Sequence, residues 1–115
     1  MLPRENRLVR KPDFEKVKEK GEKFQSNLFG LLVYSTSNKT SRFGFVISTK
    51  LSKKAVKRNR VKRVLREQVR LLLPRTKLGF DVIFLGKKAL LESSYEEIGS
   101  EVKRLFKKSG LLGKN

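Results

Sequence analysis

The segment that decides the fold lies in the middle of the chain, at residues 55–73, and reads AVKRNRVKRVLREQVRLLL. At 100° of rotation per residue its apolar side chains fall on one face of a helix, and its positive side chains fall mostly on the other. Pro74 follows directly and cannot continue a helix. The pattern predicts an amphipathic helix from Ala55 to about Leu73, with an apolar stripe of Val61, Val64, Leu65, Val69 and Leu72.

Apolar stretches on both sides of this helix predict strands. Upstream, residues 28–34 and 43–48 are apolar and are joined by the polar stretch 35–41, so we expect them to pair antiparallel. Downstream, residues 78–85 show almost no alternation of polar and apolar side chains, which is typical of a strand buried on both faces.

Two further helices are predicted near the ends of the chain. Residues 11–14 (KPDF) combine a proline for the first turn with an acidic side chain, and Gly21 ends the helix. Ser94 and Glu97 have the spacing of a capping box, and Ile98, Val102, Leu105 and Phe106 form the stripe of a final helix. We expect residues 109–115 to fray. The order of elements predicts one α+β domain over residues 1–115, an α/β sandwich.

Charge restricts the class of partner. The chain of 115 residues carries 29 Lys and Arg against 11 Asp and Glu, a net charge of +18. So large a field of one sign destabilises a compact state, and a polyanion is the usual compensation. Nucleic acid is the leading candidate, because neutralised phosphates release condensed counterions. An anionic membrane surface is the alternative, but no apolar stretch approaches the roughly 20 residues that span a bilayer.

Residue types that are missing exclude several chemistries. The chain has no Cys and no His, which excludes thiolate metal clusters, imidazole bases and Ser-His triads. Its two aspartates, Asp13 and Asp81, lie far apart in sequence, whereas a metal-dependent nuclease needs several converging carboxylates. A hydrolytic centre in the protein itself is therefore not expected. The first seven residues lack the apolar core of a secretory signal, so we expect the cytoplasm.

Half of the net charge is concentrated between Lys50 and Arg70. This segment holds ten positive side chains and one negative side chain, Glu67, a net +9. Lys62 and Arg66 lie one helical turn apart and repel each other, which a structure tolerates when an anion lies across them. A solvated helix face is the alternative. On the predicted helix five of the seven positive side chains are arginines, and only Arg63 has an acidic residue four positions away. The planar fork of arginine suits phosphate oxygens, so the pattern favours nucleic-acid binding.

These residues also carry a resemblance to a known family. Residues 57–67 (KRNRVKRVLRE) are similar to the RNR helix of the bacterial ribonuclease P protein subunit. The similarity extends upstream through residues 42–50 (RFGFVISTK) and 53–56 (KKAV). It also includes residues 11–14 with Gly21, and residues 79–83 (GFDVI). It covers about residues 4–108, and the ordered series of motifs is far more specific than a lone RNR.

The resemblance implies a fold and separate roles for the RNA and the protein subunit. The fold is a central mixed sheet with three helices, like domain 2 of ribosomal protein S5, with a left-handed βαβ crossover through the basic helix. In that family the RNA subunit is the catalyst and removes the 5′ leader of precursor tRNA with magnesium bound mainly through the RNA. The implied partners are the catalytic RNA and precursor tRNA, with no membrane and no obligate protein partner.

Site residues follow from the same resemblance. Those that would bind the catalytic RNA are Lys53, Lys54, Lys57, Arg58, Asn59, Arg60 and Arg63. Those that would line a leader cleft between the first helix and the sheet are Phe14, Lys18, Leu32, Tyr34, Ser48, Lys50, Lys62 and Arg66. Lys18 and Leu32 stand where relatives often have aromatics, and Gly86 replaces a frequent arginine, so leader contacts are expected to rest more on charge than on stacking. Whether Phe14 stacks on a base or packs in the core stays open.

Three other functions fit parts of the sequence. A ribosomal or ribosome-assembly protein would be equally basic, and copurification with ribosomal RNA would identify it. A helix-turn-helix DNA-binding protein would need a short helix before the basic one, where residues 43–49 predict a strand. A stand-alone nuclease would need imidazole groups, which the chain lacks, or a cluster of carboxylates, which its sequence does not suggest.

Overall fold

The computed structural model describes residues 2–113, which form three α-helices and one four-stranded sheet. The helices are α1 (Lys11–Lys20), α2 (Ala55–Leu72) and α3 (Tyr95–Lys108), and the strands are β1 (Glu22–Gln25), β2 (Phe29–Ser35), β3 (Arg42–Val46) and β4 (Phe80–Gly86). Three short 3₁₀ turns lie at Arg4–Asn6, Leu73–Arg75 and Lys88–Glu92. The three predicted helices and the mixed α+β architecture are confirmed.

The order of strands across the sheet is β1-β2-β4-β3. β4 pairs antiparallel with β2 and parallel with β3. The predicted antiparallel pairing of residues 28–34 with 43–48 is therefore wrong, because β4 lies between these two strands. The physical reason is the apolarity of β4 itself: Val82, Ile83 and Phe84 are all fully buried, and only a central strand has both faces covered. The left-handed sense of the β3–α2–β4 crossover stays a prediction of the resemblance.

The polar stretch after β2 is held by the chain that enters β4. The backbone N–H and the hydroxyl of Thr36 both donate to the Gly79 carbonyl, at 2.7 and 3.0 Å. Ser41 donates to the Lys77 carbonyl at 2.6 Å and accepts from the Phe80 N–H at 3.1 Å. Gly79 has a φ of +88°, a backbone conformation that residues with a side chain rarely adopt, so this junction requires glycine. The loop therefore fastens β2 and β3 to the start of β4 instead of forming a hairpin.

β1 was not predicted. It is a four-residue edge strand whose side chains are mostly exposed, so it lacks the apolar alternation that marks a half-buried strand. A tight turn joins it to β2, in which the Ser26 hydroxyl accepts from the Leu28 N–H at 2.9 Å.

The two faces of the sheet carry separate cores. The larger core packs against α2 and α3 and includes Phe43, Phe84 and Phe106, with Phe84 5.1 Å from Phe29 between ring centroids. The smaller core lies under α1 and contains Leu8, Val17, Leu32 and Ile83. The predicted stripe of α2 is confirmed for its buried members, with Val64 only partly buried at its margin.

The C-terminal part of the chain begins as predicted and ends differently. Ser94 and Glu97 form the expected capping box, and all four predicted stripe residues of α3 are buried. The expected fraying is wrong for residues 109–113: Leu111 is fully buried and accepts from the Lys77 N–H at 2.7 Å, and Gly113 donates to the Arg75 carbonyl at 2.7 Å. An apolar pair after the Gly110 turn was the signal for this packing. The rest of the predicted tail, residues 114 and 115, lies outside the described residues.

Candidate nucleic-acid interface

The N-terminal half of α2 and the loop before it carry an exposed cationic surface, which we call the docking face. Burial of Val61, Leu65 and Val69 against the sheet forces the intervening positive side chains outward. All seven residues predicted to bind the catalytic RNA belong to this face, and all but the partly buried Arg58 are exposed: Lys53, Lys54, Lys57, Asn59, Arg60 and Arg63.

Three residues of the docking face also brace the fold. Arg58 donates from Nη1 to the Ser52 carbonyl at 2.7 Å, which holds the loop before α2. Arg60 donates from Nη2 to the carbonyls of Leu91 and Ser93 at 3.1 and 3.2 Å. Lys57 pairs loosely with Glu92 at 3.5 Å. A guanidinium has five N–H donors, so Arg58 and Arg60 keep donors for a phosphate while they anchor neighbouring segments.

Other members of the docking face have no such structural role. Within residues 2–113, the side chains of Lys53, Lys54 and Arg63 make no hydrogen bond or ion pair. The one acidic residue of α2, Glu67, is bound at 2.6 and 2.9 Å by Arg70, and this hydrogen bonding first of all lowers the pKa of the Glu67 carboxyl. The charge of Glu67 is therefore neutralised by Arg70, and among residues 2–113 the loose Lys57–Glu92 pair is the one ion pair that offsets the positive charge of the docking face.

A cleft of about 410 Å³ lies at the outer edge of β3, and we call it the edge cleft. It brings together three of the residues predicted to hold the leader: Phe14 from α1, and Lys62 and Arg66 from α2. Its floor is apolar and its rim is cationic, the combination that single-stranded nucleic acid requires. Leu8 donates to the Phe43 carbonyl at 2.9 Å, which fixes the N-terminal segment along one side of the cleft.

The position of Phe14 depends on Gly44. A Cβ at Gly44 would lie 2.5 Å from Cζ of Phe14, so only glycine lets the ring rest on β3. The ring is partly buried against the smaller core and partly open to the cleft.

The other predicted leader residues lie elsewhere. Leu32 is 3% exposed within the smaller core, so it offers a ligand almost no surface. Tyr34 lines a separate polar pocket beside Arg42 and Asp81. Lys18, Ser48 and Lys50 are exposed on α1 and on the loop after β3, outside the residues that line the edge cleft.

Seven of the ten residues that line the edge cleft were not predicted from the sequence. Arg7 and Val9 line it because the N-terminal segment runs beside β3, and Phe45 lines it from the strand. Val9 is 75% exposed. Residues 7 and 8 pair with Phe43 across a large distance in sequence, and no local pattern predicts this contact. For Phe45 the sequence did hold a signal: Phe43 and Phe45 are two residues apart on one strand, so both side chains point to the same face of the sheet as the helix.

Both aspartates of the chain bind one arginine. Arg42 contacts Asp81 at 2.6 and 2.9 Å and Asp13 at 3.3 Å, joining β3, β4 and α1. The hydrogen bond to Asp81 is the main cause that raises the pKa of Arg42. Asp13 and Asp81 are thus occupied by a guanidinium and do not fit a metal site, and within the described part of the chain no three acidic side chains converge in a way that could hold a metal ion.

The chain matches one family over almost its whole length. A family model described as Ribonuclease P matches residues 2–110. The ribonuclease P protein component of Pseudanabaena sp. is 39% identical over 116 residues, covering all of both chains. That of Clostridium kluyveri is 38% identical over 107 residues, covering 91% of this chain and 95% of the relative. This chain belongs to the ribonuclease P protein family.

Solved structures agree with this assignment. The RNase P protein of Thermotoga maritima superposes with a TM-score of 0.80 at 28% identity, covering 89% of this chain and 96% of that one. The Staphylococcus aureus protein gives a TM-score of 0.86 at 22% identity, over 94% and 98% of the two chains, which shows the shared fold.

Family membership gives the chain its broad role. It is an RNA-binding component of ribonuclease P, a ribonucleoprotein endonuclease of tRNA processing, and it associates with the RNA of that enzyme. The resemblance drawn from the RNR helix is confirmed. Within the described residues, no helix is both long and apolar enough to cross a membrane.

Proposed function

We propose that this ribonuclease P protein docks on the catalytic RNA through the docking face and holds the 5′ leader of precursor tRNA in the edge cleft. One observation carries the proposal: α2 serves two adjacent cationic surfaces, one solvent-facing and one lining a cleft with an aromatic floor. The first suits the phosphates of a structured RNA, and the second suits an unpaired strand.

The docking face is suited to a polyanion because, apart from the Lys57–Glu92 pair, its charges have no acidic partner among residues 2–113. Lys53, Lys54 and Arg63 have no acidic partner among residues 2–113, and Arg58 and Arg60 are held in place by backbone carbonyls. A cation fixed before binding loses less conformational entropy when a phosphate arrives. Bracing and binding therefore support each other on this face.

The edge cleft is suited to a single strand because it offers both a ring and charges. Phe14 presents part of its ring, and Lys62 with Arg66 supplies the rim. Sequence-tolerant binding is expected from this combination, because every base has a π-face and every nucleotide has a phosphate. Tolerance of sequence suits a leader that differs from one precursor to the next.

We propose further that the RNA subunit carries the chemistry and holds the magnesium ions. The chain has no His or Cys, and its two aspartates are engaged by Arg42. Such a protein has no imidazole base and, among residues 2–113, no cluster of carboxylates to offer a hydrolytic step. Its contribution is binding and orientation of the substrate.

Docking is tested by the double variant Lys53→Ala/Lys54→Ala. Its affinity for the catalytic RNA should fall, and the slope of log affinity against log salt should flatten by about one unit for each lost phosphate contact. The matched control is Lys103→Ala/Lys107→Ala, which removes the same charge from the exposed face of α3. Equal losses in both variants would mean that only net charge matters, and would contradict docking through this face.

A further inference from the structure

The structure contains a second aromatic site that the sequence analysis did not single out. Tyr95 is the first residue of α3 and is 45% exposed, unlike the buried stripe of that helix. The capping box uses Ser94 and Glu97, so the neighbouring tyrosine is not needed to begin the helix. Its exposed ring is available to a ligand.

Tyr95 faces a groove of about 520 Å³ between α3 and α2. The groove is lined by Arg63, Val64, Arg66 and Glu67 together with the tyrosine. Val64, partly buried, provides an aliphatic wall beside the ring. The groove is therefore apolar in its centre and cationic at its margin.

The charges of the groove favour an anionic occupant. Glu67 is bound by Arg70, whereas Arg63 and Arg66 have no acidic partner within residues 2–113. Arg66 also lines the edge cleft, and Arg63 belongs to the docking face. The groove thus lies between the two proposed RNA surfaces and shares a residue with each.

We propose that Tyr95, Arg63 and Arg66 form a binding site for one unpaired nucleotide of RNA, with the base on the ring and its phosphate on the arginines. The proposal rests on the proposed RNA-binding role of α2 and extends the contact surface to α3. Tyrosine beside arginine is a combination that single-strand and loop recognition uses. The simpler role for Tyr95 is to cover Val64, and a variant that retains apolar volume separates the two.

The test uses the full chain and a labelled single-stranded RNA of about eight adenosines, within the usual site size of such proteins. Tyr95→Leu should weaken binding about tenfold, and Tyr95→Phe by less than about twofold, because phenylalanine keeps the stacking face. Neither variant changes charge, so the salt slope should not move. The matched control is Leu78→Ala, which removes another large apolar side chain that is 70% exposed, and which should bind like the unchanged chain.

A spectroscopic measurement does not depend on the stability of any variant. The chain has two tyrosines, so comparison with Tyr95→Phe assigns the ring signals of Tyr95 in the proton NMR spectrum. Stacking should shift these signals upfield when the RNA is added to the unchanged chain.

Unmoved ring signals, with unchanged affinity in Tyr95→Leu, would overturn the site and leave the groove to a protein segment or to no ligand. The docking proposal would still stand if Lys53→Ala/Lys54→Ala weakened binding to the catalytic RNA. The opposite pattern, in which the tyrosine signals shift and the lysine variant has no effect, would uphold the Tyr95 site and contradict docking.

Discussion

Phe14 is the residue on which the proposed leader binding depends most clearly, because its ring belongs both to the smaller core and to the edge cleft. Phe14→Ala in the assembled enzyme should weaken precursor tRNA binding roughly ten- to a hundredfold, since one stacked base contributes about 1–3 kcal/mol. Leaderless mature tRNA should bind as before. Equilibrium binding of both tRNAs measures the effect.

Phe14→Leu separates stacking from packing, because leucine keeps most of the apolar volume. A stacking role predicts normal thermal stability with the precursor defect still present. Full recovery of precursor affinity in Phe14→Leu would assign Phe14 to the core and leave the leader to Lys62 and Arg66.

Among the charged side chains, Arg42 is the one whose replacement should lower the free energy of unfolding most. Its partner Asp81 is 5% exposed at the side chain, and Arg42 itself is 25% exposed. Arg42→Met leaves a buried carboxylate unpaired and should lower the free energy of unfolding by about 3 kcal/mol, the lower end for such pairs because Arg42 is partly exposed. Urea denaturation gives the value.

The control for Arg42 is Arg104→Met, which breaks an exposed pair with Glu101. It should cost less than about 1 kcal/mol. Equal and small losses in the two variants would show that the Arg42 cluster does not join α1 to the sheet.

The structural role of a residue could be predicted from the sequence where the signal was local. The capping box of Ser94 and Glu97 and the buried stripe of α3 follow from spacing alone. The convergence of Asp13 and Asp81 on Arg42 could not be predicted, because it joins residues up to 68 positions apart through three elements. Leu32 was assigned to the leader cleft on the resemblance alone. In the structure it is buried under α1, because its position on β2 directs the side chain into the smaller core.

At the scale of elements, α2 combines structural and binding roles along one helix. Its apolar face fills the larger core, while Arg60 on the opposite side fastens the turn Lys88–Glu92. A loss of RNA affinity in an Arg60 variant therefore mixes two causes, and hydrogen exchange can separate them.

Arg60→Met should increase hydrogen exchange of the Leu90 and Ser93 amides about fivefold, because a bond worth about 1 kcal/mol no longer holds their turn. Arg63→Met, which breaks no bond within residues 2–113, should leave these amides unchanged. Unchanged exchange in both variants would mean that the Arg60 contacts do not brace the turn.

The helices could be predicted from the sequence, whereas the order of the strands in the sheet could not. Helices α1, α2 and α3 were predicted to within about two residues, because amphipathic periodicity and caps are local. Pairing between strands is not local, and the short polar link between β2 and β3 suggested a hairpin. The deciding observation was already in the sequence: β4 is apolar at every position from Val82 to Leu85, which suits only the centre of a sheet.

At the scale of the whole molecule, charge is arranged by the fold. The net charge of +18 includes a net +9 between Lys50 and Arg70, and the fold places that segment on α2 and on the loop before it, where it forms the docking face and lines the edge cleft and the Tyr95 groove. These surfaces meet at Arg63 and Arg66. Under the proposed function, this arrangement lets the protein bind one RNA while it holds a second strand beside the same helix.

The central claim is that the chain binds the leader while docked on the catalytic RNA. The most direct measurement compares the affinities of precursor tRNA and of mature tRNA for the catalytic RNA, without and with this chain. We predict that the chain increases affinity for the precursor and leaves affinity for the mature tRNA nearly unchanged, because only the precursor has a strand to occupy the edge cleft. An equal increase for both tRNAs, or none for either, would contradict the account.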